Sequence, residues 1–107
     1  MPTSEKIAQN KLRRMVGHLY TEIRFNFEYE FWCGGGEIDF MGRHHDGSWH
    51  IYEIKTNPSL RERAIEQLER AAEYIDVSKM FIFYTDTDQL VRYRPCRSKK
   101  LLNTTVK

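Results

Sequence analysis

The sequence predicts one α/β domain, a mixed β-sheet with helices packed on it. Three observations carry that expectation. Residues 4 to 20 and 60 to 75 repeat apolar side chains at helical spacing, whereas residues 23 to 31 alternate with period two. The apolar run Met80 to Tyr84 follows the second helical stretch, as expected of a strand covered on both faces. A chain of 107 residues is near the size of one compact domain and too short for two.

The first helix spans residues 4 to 20. Thr3 or Ser4 caps it, and Ala8, Leu12, Met15, Val16 and Leu19 form its buried stripe. In the strand that follows, Ile23, Phe25, Phe27, Tyr29 and Phe31 share one face, and Arg24, Asn26, Glu28 and Glu30 share the other. Gly34-Gly35-Gly36 reads as a flexible turn that leads to a second strand, Glu37 to Arg43. His45-Asp46-Gly47 turns the chain into a third strand, Trp49 to Thr56. Asn57 or Ser59 starts the second helix, with Pro58 in its first turn and Ser59 and Glu62 spaced for a capping box. Leu60, Ala64, Leu68, Ala71 and Ile75 face its core. Met80 to Tyr84, a turn at 85–88 and a last strand, Leu90 to Arg94, complete the domain. The third and fourth strands, joined through a helix, should run parallel by a right-handed crossover.

Composition narrows the class. With 40 % hydrophobic and 30 % charged residues the chain is globular, and no apolar run approaches the roughly 20 residues that cross a bilayer. The N-terminal segment lacks the layout of a signal peptide, and two cysteines, Cys33 and Cys96, make a poor disulfide framework. The expectation is a cytoplasmic, intracellular protein with no membrane partner. Cys33, His44, His45 and His50 match no ordinary zinc spacing. The net charge of +2 is modest, but no acidic residue follows Asp88. Residues 1–94 are therefore read as the domain and 95–107 as a basic tail. Arg92 and Arg94 at the end of the domain and Arg97, Lys99 and Lys100 in the tail are the candidate phosphate contacts; a merely solvated tail is the plainer alternative.

The chemistry lies on the second and third strands. Glu53 and Lys55 are two apart and so share a strand face with Trp49 and Ile51. The turn decides whether Asp39 joins them. If His45-Asp46-Gly47 is a three-residue loop with Gly47 left-handed, His44 pairs with Ser48 and Asp39 sits opposite Glu53. Side chains so opposed have Cβ atoms about 4.5–5.5 Å apart. Two such carboxylates repel unless a proton or cation lies between them. A two-residue Asp46-Gly47 turn puts Asp39 opposite Ile54 instead, and a bulge restores the first geometry by another route. Paired carboxylates suit Mg²⁺, and a neighbouring lysine suits a phosphate or a developing oxyanion. An ordinary surface ion cluster is the bland alternative.

Glu37-Ile38-Asp39 followed by Glu53-Ile54-Lys55 resembles the PD-(D/E)xK nuclease superfamily, the restriction-endonuclease-like fold, which includes small Holliday junction resolvase-like nucleases. The order helix, three strands, helix, strand (an αβββαβ core) resembles that family over roughly residues 4 to 84. One departure is Ile38 where the family often has proline. The resemblance implies that Asp39 and Glu53 hold Mg²⁺ or Mn²⁺ with help from the backbone carbonyl of Ile54, and that Lys55 is the catalytic lysine. It further implies a glutamate from the first helix, for which Glu5 is the matching position, and a glutamine from the second, for which Gln67 is suitably placed. The expected activity is structure-directed cleavage of DNA, at junctions, flaps or single strands, by a chain that pairs as a homodimer. RNA cleavage, and a binding module of the same fold without turnover, are the alternatives.

Overall fold

The computed structural model describes residues 3–31 and 34–95. Cys33, Cys96 and the tail cations Arg97, Lys99 and Lys100 lie outside those residues.

Helix α1, Ser4–Val16, starts at Thr3, whose hydroxyl accepts the Lys6 N–H at 3.1 Å. Its buried stripe is Ala8, Gln9, Leu12 and Val16, so the polar Gln9 takes the place expected for Met15, which is 40 % exposed. The helix is also shorter than its periodicity suggested. A 3₁₀ turn, Gly17–Leu19, leads into strand β1, Tyr20–Phe31, because Tyr20 is drawn into the sheet. Its hydroxyl is bonded to both Tyr52 and His50, and its ring is buried.

Strand β2, Gly34–His44, pairs antiparallel with β1. The triglycine is strand rather than turn. A Cβ at Gly36 would meet the Tyr29 hydroxyl at 2.6 Å, so the absence of a side chain lets Tyr29 lie across the paired strand. Strand β3, Trp49–Lys55, pairs antiparallel with β2 in the register that the three-residue loop requires: Phe40 faces Tyr52 and Arg43 faces Trp49. The His44 N–H reaches the Ser48 carbonyl at 2.8 Å, and Gly47 has φ 91°. Asp46 holds this turn by accepting the Ser48 N–H and hydroxyl, bonds that lower its pKa to about 2.

A 3₁₀ turn, Pro58–Leu60, is capped by Asn57 rather than Ser59 and opens into helix α2, Arg61–Tyr74. Strand β4, Val77–Tyr84, then runs parallel to β3, and β5, Gln89–Tyr93, returns antiparallel to β4. The five strands lie in chain order in one mixed sheet.

The two helices cover opposite faces. Ala8, Leu12 and Val16 of α1 pack with Tyr20, Phe40, Tyr52 and Phe83. Ala64, Leu68 and Ala71 of α2 pack with Ile38, Met41, Ile51 and Ile82. β3 and β4 are thus buried on both sides, as their apolar runs require.

One expectation fails in an informative way. The aromatic face of β1 is not continuous. Ile23 packs with the α1 cluster, as does the Phe25 ring against Phe40, whereas Phe27 and Tyr29 pack with the α2 cluster. The switch falls at Asn26, whose φ of 52° reverses the alternation. Opposite it, β2 sends Phe40 to the α1 side and Ile38 to the α2 side, so both strands change face around Asn26 and Asp39.

Candidate active site

This change of face falls where the ladder between β2 and β3 ends. Their ladder runs from Arg43–Trp49 to Phe40–Tyr52. One step further, where Asp39 and Glu53 would be opposed, side chains replace the backbone bonds. The Ile54 N–H donates to Asp39 Oδ2 at 2.9 Å, and the Asp39 N–H donates to Glu53 Oε2 at 3.3 Å. Each carboxylate is thus held by the backbone of the strand opposite.

The buried Gln9 and the exposed Asn26 fix the position of Asp39 from the α1 side. Gln9 Nε2 donates to the Asp39 carbonyl at 3.1 Å and to Asn26 Oδ1 at 2.8 Å. Asn26 Nδ2 in turn donates to Glu5 Oε1 at 2.7 Å and reaches Glu37 Oε1 at 3.5 Å. The left-handed Asn26 is therefore a hub that joins α1, β1 and β2 beside the acidic groups.

A cleft of about 300 Å³ opens there. Glu5, Asp39, Glu53, Ile54, Lys55 and Gln67 all line it, so α1, β2, β3 and α2 each contribute a residue singled out in the sequence. The carboxylates there divide into two sets, with Glu37 outside the cleft lining. Oxygens of Glu5, Glu37 and Asp39 lie within 4.8 Å of one another and form a group that can hold a metal ion. Glu53 lies on the other side of Asp39, only 2 % exposed, with its carboxylate turned to the Asp39 amide. Among the described residues no histidine or cysteine belongs to such a group.

Electrostatics follow from this crowding. Burial raises the pKa of Asp39, and the Glu5 and Glu37 carboxylates raise it further; the Ile54 N–H and Lys55 oppose them. Burial also holds Glu53 well above the ordinary carboxylate range, with Asp39 adding to it, against the Asp39 N–H and Lys55. Four carboxylates thus meet one ammonium, and among the described residues Lys55 is in no direct ion pair.

The other expected contacts are elsewhere. Arg92 is exposed on β5, near His50, and neither it nor Arg94 lines the cleft. His50 points to the α1 side, where Tyr20 bonds its Nδ1 at 2.8 Å. Sequence patterns did not single out Gln9 or Asn26. A polar residue inside the α1 stripe was the available signal for the first, and asparagine's tolerance of a left-handed backbone for the second.

The chain matches no family model, no curated protein and no solved structure.

Proposed function

We propose that the chain is a Mg²⁺- or Mn²⁺-dependent endonuclease that hydrolyses phosphodiester bonds in DNA, built on a restriction-endonuclease-like variant of the α/β fold. The observation that supports it is the convergence of Asp39, Glu53, Lys55, Glu5 and Gln67 on one cleft from four separate elements. These five residues were picked out by spacing and resemblance alone.

The donor set fits a divalent cation. Its ligands are hard carboxylate oxygens at a partly open cleft, where four carboxylates meet the single ammonium of Lys55. Asp39, Glu5 and Glu37 would hold the ion on one side, with Glu53 and the Ile54 carbonyl bordering the other. When bound, such an ion activates a water and neutralises charge on the phosphate. The chain's own residues supply the rest. Lys55 places an ammonium where the non-bridging oxygens of a phosphodiester would lie and favours the charge that grows on them. The Ile54 and Asp39 amides fix the two central carboxylates, so their orientation does not depend on substrate. Gln67, exposed on α2 at the mouth of the cleft, is placed to hydrogen-bond the incoming strand. A homodimer would give each strand of a duplex its own site.

Cleavage of plasmid, branched DNA and single-stranded RNA, with Mg²⁺ and with chelator, tests the reading. The wild type should cut DNA only with the metal, and Asp39→Asn and Lys55→Met should each lose at least about 100-fold in rate. Cutting that survives Asp39→Asn would overturn the assignment. Binding without cutting by every form would mark a recognition module, and preferential cutting of RNA would reassign the substrate.

A further inference from the structure

A second cleft, of about 320 Å³, adjoins the first and shares Lys55 and Gln67 with it. Its remaining walls are Arg63, Glu66 and Arg70. Arg63, Gln67 and Arg70 lie at i, i+4 and i+7 on α2, one continuous stripe on the exposed flank of the helix. Three cations therefore face a single carboxylate, the reverse of the balance in the first cleft. Among the described residues neither Arg63 nor Arg70 is in an ion pair, so their charge is not neutralised in place.

We infer that this cleft binds the sugar–phosphate backbone of a nucleic-acid strand as it leaves the cleavage site along α2, which gives the enzyme a phosphate subsite beside the scissile bond. The inference rests on the nuclease reading for the direction of the strand but not for its chemistry. Seven residues of helix separate Arg63 from Arg70 by about 10.5 Å. That separation lets the two guanidinium groups contact different phosphates of one strand. Guanidinium groups match phosphate oxygens in pairs, and they do so without reading bases. The depression along the β1–β2 hairpin is walled by Glu28, Glu30 and Glu37, which would repel a phosphate chain. The exposed β5 cations lie outside both clefts. The depression along α1 that shares Glu5 with the first cleft has two cations, Lys6 and Arg13, against that carboxylate, so charge favours the path from Lys55 past Gln67 to Arg70, where three cations meet one.

The test measures binding apart from cutting. A short, fluorescently labelled single-stranded DNA is titrated with the protein in chelator, at several salt concentrations, by anisotropy. Arg63→Gln/Arg70→Gln should bind about tenfold more weakly, with the slope of log affinity against log salt reduced by about 1.4, the loss of two phosphate contacts. Arg13→Gln/Arg14→Gln removes the same charge from the exposed end of α1 and should bind as the wild type does. Equal weakening in both double variants, an unchanged Arg63→Gln/Arg70→Gln, or no binding by the wild type would each overturn the subsite. Cutting of the same DNA with Mg²⁺ is scored separately. No cutting, with binding lost only in Arg63→Gln/Arg70→Gln, removes the nuclease reading and supports the cleft as a backbone site. Cutting with binding unaltered in that variant removes the subsite alone.

Discussion

Glu53 is a carboxyl group held away from water beside a second carboxylate, and its raised pKa is a statement about stability as well as chemistry. In the unfolded chain it releases its proton in the ordinary carboxylate range, whereas the folded protein keeps that proton to higher pH. Folding is therefore penalised as the pH rises above the ordinary range, and the penalty grows until Glu53 ionises in the fold as well. Glutamine at this position retains an oxygen for the Asp39 N–H and carries no charge. Glu53→Gln is expected to stabilise the metal-free protein at neutral pH by about 1–3 kcal/mol, while cleavage is lost. Thermal unfolding in chelator checks it. A variant less stable than the wild type at neutral pH would mean that the Glu53 carboxylate is not under electrostatic strain.

At the level of elements, the decisive feature is the reversal in β1. Asn26 tolerates φ 52° because its short amide bonds locally, and here those bonds run to Gln9, Glu5 and Glu37. Asn26→Gly keeps the backbone and loses the bonds; Asn26→Val loses both and adds a branched Cβ in a region that disfavours it. Denaturant unfolding should therefore rank them wild type, Asn26→Gly, Asn26→Val, with the last about 1–3 kcal/mol below the glycine variant. Equal stabilities would show that the reversal exerts no backbone strain. The same element shows what the sequence could and could not reveal. The β2–β3 register was legible because turn chemistry at Asp46-Gly47 is local, and register then places Asp39 against Glu53 by counting. α2 and β4 were legible from periodicity and a continuous apolar run. The break in β1 was not, since alternating aromatics read as one face whether or not a single residue turns left-handed. Glu37 escaped notice as a member of the acidic group because its approach to Glu5 depends on that break and on α1, a tertiary relation with no local pattern. The basic stripe on α2 was overlooked for a similar reason: Arg63 and Arg70 look like the solvent face of any helix until Lys55 is placed beside them.

Over the whole molecule, two buried groups on opposite faces of the sheet set opposing pH dependences. His50 is 4 % exposed and shares a hydrogen bond with Tyr20, and burial, with Lys79 nearby, lowers its pKa to about 4. Its stabilising effect is complete above its ordinary value of 6.5 and is lost as the pH falls towards 4. Glu53 acts in the other direction over much of that interval. The melting temperature of the metal-free wild type should accordingly vary little there. His50→Gln should uncover the decline with rising pH, and Glu53→Gln the decline with falling pH. Parallel curves for all three proteins would refute this division.

Among the described residues, the strand order β1 to β5 also puts β1, twelve residues long, at the edge of the sheet with a strand on one side only. Exposed amides and carbonyls of that length invite another chain to add itself as a sixth strand and continue without limit. Glu22, Arg24, Glu28 and Glu30 stand along this margin, the first two bonded to each other at 2.6 Å. A copy arriving alongside would have to bring its own like charges against the three glutamates. These carboxylates, which take no part in the cleft, thus act as a guard against fibril growth, and neutralising them would be the shortest route from a well-behaved solution to an aggregate.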